Sequence, residues 1–315
     1  MPTQNPDPFS AEMEAYVSER VTNANRRHGF DNGAPTHSQS HATSHSGHDQ
    51  AGVAEVLDLD AEVLTEQTAS IVAGLPVNAG PLRIADLGCG TGAGTFALLA
   101  RFPEAQVIAV DNSSDHLARL RRKAMEAGVA DRIDTVQADL DTELPPLGAP
   151  DLVWASASLH HLRDPERTLR GIHSALRPGG LLVVVEVDGF PRFLPDNGPE
   201  DCPGLEARCH EISDRLHHAQ LPHRGADFGP ILTAAGFTVE ARRTITATIE
   251  YSRTPSIGRY ALIGYSRMRD VLADALSEED LAALDRLLDP ENPRNLLRRT
   301  DLTMRTQRTV WTARN

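Results

Sequence analysis

Glycine stands at positions 88, 90, 92 and 94, directly after an apolar stretch and directly before a helical one. Residues 82–87, Leu-Arg-Ile-Ala-Asp-Leu, read as a short buried strand carrying an acid near its end, and residues 95–101 read as a helix. A chain that turns this sharply from strand to helix needs positions that tolerate positive φ, and glycine does so without a Cβ clash. The missing side chains also let a ligand approach the backbone, while the helix start offers unpaired N–H groups. Few folds other than a nucleotide-type cofactor domain use such a loop.

The identity of the cofactor needs further residues, because Gly88-x-Gly90-x-x-Ala93 also fits the dinucleotide fingerprint. Asp86 precedes the first glycine by two positions, where a pyrophosphate gains nothing from a carboxylate, and Gly92 makes the spacing Asp-x-Gly-x-Gly-x-Gly. The apolar stretch 105–110 ends at Asp111, where a carboxylate can accept from two ribose hydroxyls; NAD sites use the same device, so Asp111 supports a ribose without choosing its cofactor. A third strand, 133–137, leads into Ala138-Asp139-Leu140, and a fourth begins at Asp151 and runs into Ala155-Ser156 and His160-His161-Leu162. A helix at 165–176 and the turn Arg177-Pro178-Gly179-Gly180 precede an apolar fifth strand at 181–187. That turn is foreign to the dinucleotide fingerprint.

Together these motifs resemble the class I S-adenosylmethionine (SAM)-dependent methyltransferases, in particular the small-molecule group that includes the ubiquinone-biosynthesis-type enzymes. The resemblance covers residues 55–188 well and the rest in outline. It implies a Rossmann-like, doubly wound α/β sheet of seven strands, the last antiparallel at the edge beside the fifth, with N-terminal helices and a helical cap. It implies SAM as cofactor, held by Asp86, Gly88, Cys89, Gly90 and Gly92, by Asp111 and Asn112, and by Ala138, Asp139 and Leu140, with Asp139 accepting from the adenine amino group. Ala155 and Ser156 would lie beside the methionyl end. His160 and His161 are the candidates for a general base, since a histidine near its ordinary pKa can take a proton at neutral pH. Two other readings stay open: an NAD-dependent oxidoreductase, which lacks a recognisable hydride-transfer set here, and a SAM-binding protein without turnover.

The remaining sequence sets limits. A net charge of −13 over 315 residues argues against nucleic acid as partner, and no Asn/Asp-Pro-Pro-aromatic motif follows the fourth strand. No apolar run is long enough to span a membrane, no secretory signal opens the chain, and three scattered cysteines make no disulfide framework. A cytoplasmic monomer or homodimer acting on a small-molecule acceptor is the expectation.

Three parts follow along the chain. Residues 1–50 comprise an amphipathic helix at 9–27, with Phe9, Met13, Tyr16, Val17 and Val21 on one face, and a His/Ser-rich flexible linker at 28–50. The helix either packs on the main domain or forms a lid. The five histidines of the linker lack the cysteines or paired carboxylates of a metal set, so no metal is expected. Residues 51–188 form the SAM-binding core, beginning with an amphipathic helix at 54–75. Residues 189–315 complete the same domain with a proline-containing insertion at 189–223, a helix at 227–235, a strand at 238–249, two helices within 255–289 and a final strand at 302–313. His210, His217, His218, Tyr260, Tyr265 and Arg267 are the polar groups expected to orient the acceptor. An apolar stripe of Leu262, Met268, Val271, Leu272 and Leu276 offers the competing role of an oligomer interface.

Overall fold

The computed structural model describes residues 45–315; the helix expected at 9–27 and the segment 28–44 lie outside them. The described chain opens with α1 (His45–Val63) and α2 (Thr65–Ala73), in place of the single helix expected at 54–75. The break falls at Leu64 (φ −101°, ψ 19°), and next to it the Thr65 hydroxyl donates to the carbonyls of Ala61 at 2.6 Å and Glu62 at 2.9 Å. A hydroxyl competing for backbone carbonyls in this way interrupts a helix. Helix α1 also takes in residues 45–50, which by composition belong to the His/Ser-rich linker. An established helix extends at little cost even through poor formers, and propensity is the weaker influence.

Strands and helices then alternate: β1 (Arg83–Leu87), α3 (Ala93–Arg101), β2 (Gln106–Asp111), α4 (Ser114–Glu126), β3 (Ile133–Gln137), β4 (Leu152–Ser156), α5 (Pro165–Ala175) and β5 (Leu181–Val187). The local chemistry sets the boundaries. Ser113 caps α4 by accepting from the His116 N–H, and Asp164 caps α5 from the Arg167 N–H with Pro165 following. β4 and β5 are buried on both faces, as strands in the middle of a parallel sheet must be.

After β5 come α6 (Leu205–Gln220), α7 (Phe228–Ala234), β6 (Thr238–Glu250), α8 (Ile257–Leu272), α9 (Glu278–Leu288) and β7 (Thr303–Arg314). The sheet order is β3-β2-β1-β4-β5-β7-β6. β7 runs antiparallel to both neighbours, as expected of the last strand, but it is inserted between β5 and β6 rather than lying at the edge; β6 is the edge. The register explains the arrangement. Thr238 of β6 and Leu181 of β5 both face Arg314, so β6 and β5 start level, yet β6 is almost twice as long. The ends of β6 and β7 therefore project past the C-terminal end of β5.

On that projection sits a second core. Leu59 of α1, Leu205 and Cys209 of α6, Tyr265 of α8, Leu284 of α9 and Met304 of β7 belong to one buried cluster. The sheet itself is covered on one face by α2 and α3 (Ile71, Leu98 against Trp154, Val183) and on the other by α5 and α7 (Leu169, Phe228 against Trp311). The helical cap thus stands above the C-terminal ends of the parallel strands, where open α/β sheets bind ligands. The stripe considered as an oligomer interface is mostly part of this cap core: Leu262, Leu272 and Leu276 are buried and Met268 packs against them, leaving Val271 exposed. α6 had no counterpart in the sequence reading, because five prolines between 189 and 223 masked a proline-free run from 205 to 220.

Candidate cofactor and acceptor site

The turn from β1 into α3 is made by glycines in left-handed conformations: φ is +70° at Gly88, +53° at Gly90 and +99° at Gly92. At Gly88 the space is also taken, since a Cβ there would lie 2.4 Å from the Ser158 Cβ. Ser158 is held in place by donating from its Oγ to the Leu87 carbonyl at 2.9 Å. Gly92 caps α3 without a side-chain hydrogen bond, so the first N–H groups of that helix carry no side-chain acceptor. The backbone is bare where a ligand would rest.

Two carboxylates anchor this loop. Asp111, at the end of β2, accepts from the Gly90 N–H at 2.8 Å, the Ser113 N–H at 2.9 Å and the His116 Nδ1 at 3.2 Å. Burial alone would raise its pKa, but the hydrogen bonds from His116, Ser113 and Gly90 outweigh that and hold it below the ordinary carboxylate value. Asp86 is 2 % exposed and lies beneath the loop, accepting from the Thr95 hydroxyl at 2.6 Å. Burial, with the nearby Asp111 charge and against the Thr95 bond, pushes its pKa up to about 7. Asn112 is exposed, and Cys89 is buried against Ala109, Leu117 and Leu120.

The other expected residues gather along the same strand ends. Ala138 donates its N–H to the Asp111 carbonyl at 3.0 Å, which fixes the β3 exit beside the end of β2. Asp139 is exposed and folds into a local turn, accepting from the Asp141 N–H and the Thr142 hydroxyl. Leu140 and Ala138 pack against the neighbouring core. Ala155 is buried, Ser156 half-buried, and Ala157 adopts a left-handed φ of +50°. A non-glycine residue held there is strained, and such strain tends to be found at functional sites.

The two histidines are placed differently. His160 is buried, and its Nδ1 lies 2.5 Å from Glu186 Oε2. The other carboxylate oxygen of Glu186 accepts from the N–H groups of Leu159 at 2.9 Å and His160 at 3.3 Å. His161 is exposed and rests on the His160 ring, centroids 4.1 Å apart. Two residues expected to orient the acceptor do not reach it. The Tyr260 hydroxyl donates to Asp60 at 2.9 Å and that of Tyr265 to Glu206 at 2.5 Å, both buried inside the cap. A phenol in an apolar interior takes the nearest carboxylate as its partner. His210 is buried on α6, whereas the side chains of His217 and His218 lie outside the described residues.

Sequence reasoning missed three acids. Asp58 on α1 accepts from the Thr91 hydroxyl of the glycine loop and from Lys123 and Arg119 of α4. Asp60, on the same helix, accepts from Tyr260 and from Arg308 at 2.6 Å, tying α1 to the cap. Acids on an amphipathic helix normally read as a solvated face, so neither gave a signal. Glu186 did: a carboxylate ending an otherwise aliphatic central strand needs a buried partner. Among the described residues no cluster of His, Cys, Asp and Glu could hold a metal. The groove bounded by Pro76, Leu82, Asp151, Arg177 and Arg314 lies at the opposite, N-terminal ends of the strands.

The sheet order and the bare glycine loop beside two strand-end acids define a Rossmann-like enzyme with a nucleoside-type cofactor site. A family model described as a methyltransferase domain matches residues 85–182. Trans-aconitate 2-methyltransferase of Methylobacterium nodulans is 37 % identical over 198 residues, 58 % of this chain and 68 % of its own length. That of Variovorax paradoxus is 35 % identical over 172 residues, 52 % of this chain and 60 % of its own. A methyltransferase-fold protein of Bacillus halodurans C-125 shares the fold at a TM-score of 0.50 and 17 % identity, covering 78 % of this chain and 97 % of that one. The chain belongs to the S-adenosylmethionine-dependent methyltransferases, and SAM is its cofactor. It spans about two thirds or less of the curated relatives' length.

Proposed function

We propose that this protein transfers a methyl group from SAM to a nucleophilic oxygen, nitrogen or carbon of a small organic molecule. The observation that carries the reading is the cradle itself: three left-handed glycines in a loop whose Gly90 N–H is fixed by Asp111. A Cβ at these positions would crowd Ser158, Leu57 and Phe96, so glycine is what lets the loop hold this shape, and the bare backbone it leaves fits a nucleoside cofactor. In this reading Gly88, Cys89, Gly90 and Gly92 bear the methionyl side. Asp111 and Asn112 hold the ribose, Ala138, Asp139 and Leu140 border the adenine, and Ala155 and Ser156 flank the reacting centre. Asp86, buried under the loop, accepts from the Thr95 hydroxyl and so fixes the start of α3.

When bound, SAM supplies a methyl group already activated by its sulfonium. The protein's part is to align and to exclude water, and alignment alone contributes up to about 7–11 kcal/mol in the best cases. The cap and α1 close the strand ends. His160, tied to Glu186, fixes the turn after β4, and His161 is the member of the pair able to meet an acceptor. The relatives named for trans-aconitate, and the malonyl-[acyl-carrier protein] O-methyltransferase of Laribacter hongkongensis (30 % identical over 184 residues), support a small acceptor. Every residue in this reading comes from one chain, so a monomer and a homodimer would each carry whole sites. The proposed parts are 51–188 as cofactor half and 189–315 as cap and closing strands.

Calorimetric titration with S-adenosylhomocysteine and with NAD tests the reading. Micromolar or tighter binding of the first and much weaker binding of the second is expected; the reverse order would end it. Asp111→Asn should weaken S-adenosylhomocysteine by about 1.5–3 kcal/mol, as expected when a charged hydrogen-bond acceptor is lost.

A further inference from the structure

The edge strand β6 is 13 residues long, and among the described residues no strand pairs with its outer side. Just past the two strands the Tyr251 N–H donates to the Leu302 carbonyl, so the odd-numbered residues of β6 bond inward to β7. The other side of β7 agrees. Its Arg305 and Gln307 bond to Arg192 and Asp188, leaving its even-numbered residues to face the odd ones of β6. Arg242, Thr244, Thr246 and Thr248 therefore turn their N–H and C=O groups outward. Among the described residues none of these groups has a hydrogen-bond partner. The open stretch ends at Glu250, whose carbonyl accepts from the Arg253 N–H at 3.0 Å. The side chains of all five of these residues are exposed.

Proteins usually guard such an edge with a lysine, a proline or a bulge. β6 holds no lysine or proline, and its one irregularity lies between Val239 and Ala241, leaving 242–250 regular. Residues 244–249, Thr-Ile-Thr-Ala-Thr-Ile, are uncharged and mostly β-branched, which favours a further strand alongside. The charges at the two ends indicate which strand. Arg242 and Glu250 share one face of β6, with opposite signs. The nearest acid to Arg242 is Asp227 at 3.9 Å, and the Glu250 carboxylate accepts only from the Ser252 hydroxyl at 3.3 Å. A second β6 laid antiparallel about Thr246 sets each Arg242 opposite the other copy's Glu250 and each Thr244 opposite a Thr248. All of these are outward-bonding positions, so each makes a hydrogen-bonded pair. Other registers do worse. Centring on Ile245 opposes Glu240 to Glu250, centring on Arg243 or Arg242 opposes an arginine to itself, and centring on Thr244 brings no opposite charges together.

We propose that the outer edge of β6 is a homodimer interface, in which two copies pair antiparallel through residues 242–250 about Thr246. The two sheets become one continuous sheet, and the contact is isologous, with the two-fold axis passing through the Thr246 pair. Because the paired strands run in opposite directions, the C-terminal strand ends of the two copies point opposite ways. Each copy keeps its own cofactor loop and cap, so the interface stands apart from the chemistry of either site.

Sedimentation velocity of the full chain over a range of micromolar concentrations tests this. Wild type should dimerise. Thr246→Pro removes an N–H that faces the open edge and no bond to β7, so the variant should fold and remain monomeric. Arg242→Glu and Glu250→Arg each set like charges opposite one another and should weaken dimerisation on the order of tenfold or more. Mixing these two variants restores both opposite-charge pairs, so the mixture should form a heterodimer close to wild type in affinity. Far-UV circular dichroism matching wild type shows that each variant is folded; if the proline variant is not, the charge variants decide. The proposal is overturned if wild type stays monomeric at high micromolar concentration, if folded Thr246→Pro dimerises as tightly as wild type, or if the mixture associates no better than its components.

Discussion

Asp58 Oδ1 accepts from Thr91 Oγ1 at 2.6 Å, so the first described helix is fastened directly to the cofactor loop. The same oxygen lies 2.5 Å from the Nζ of Lys123, the only lysine in the chain, and Leu57 of the same turn sits against Gly90. Helix α1 also binds the cap through Asp60 and through Glu55 with Arg259. It is therefore the part that connects the cofactor loop to the cap.

Asp58→Asn should loosen both. Burial would raise this carboxyl's pKa, but Lys123, Thr91 and Arg119 hold it below 3.8 in the folded protein. A depressed carboxylate stabilises the fold above its unfolded pKa and loses that contribution as pH falls through the folded value. The variant should thus be less stable by about 1–2 kcal/mol at pH 7 and converge with wild type once pH has fallen through the lowered folded value. S-adenosylhomocysteine affinity should fall severalfold, because the loop loses a tether. Denaturant curves at both pH values, with a calorimetric titration, check this; unchanged affinity would leave α1 as packing only.

Asp86 predicts the opposite pH dependence. Its folded pKa, near 7, lies above the ordinary 3.8, so the native state keeps a proton that the unfolded chain gives up. Stability then declines as pH rises from about 4 to about 7 and stays level beyond. Asp86→Asn should remove that decline and gain about 2–4 kcal/mol on wild type at pH 8, while keeping an acceptor for Thr95. Urea denaturation at pH 4.5, 6 and 8 reads it directly; parallel curves for the two proteins would show that Asp86 is ionised throughout.

At Gly88 the expectation is steric. Alanine there combines a left-handed φ of +70° with a Cβ 2.4 Å from that of Ser158. Strain and overpacking together should cost about 2–5 kcal/mol. Adding Ser158→Gly should recover the overpacking share but leave the backbone strain, and chemical denaturation of the single and double variants separates the two.

The repeating half of this fold was legible because its signals are local. Gly88, Gly90 and Gly92, Asp111 and the Pro178-Gly179-Gly180 turn each sit where the backbone demands that residue type, and the strand limits fell within a residue or two of those observed. Relations between distant segments were not legible. Tyr260 looked like an acceptor contact until the fold placed Asp60 beside its hydroxyl, a partner 200 positions away. The stripe on α8 has the same period whether it meets a second chain or its own α1 and α9. β7 was read as an edge strand because alternation records which faces are buried, not which strand lies on each side.

The last expectation concerns Glu186, the carboxylate buried near the end of the aliphatic strand β5. It accepts from the N–H groups of Leu159 and His160 and from the His160 ring, and so holds the turn that follows Ser156 and the strained Ala157. Glu186→Ala would leave two buried N–H groups without acceptors, at about 1–3 kcal/mol each, so a loss of about 3 kcal/mol or more is expected. Glu186→Gln keeps a carbonyl oxygen for the backbone but no longer fixes the His160 ring by charge. It should regain most of the stability and bind S-adenosylhomocysteine within a few-fold of wild type. If the turn positions the acceptor, however, the Gln variant should still show a lowered kcat with KM for SAM little changed, measured once a substrate is in hand. Wild-type turnover in Glu186→Gln would restrict Glu186 to folding, and with it His160, leaving His161 as the only histidine of the pair able to take part in the reaction.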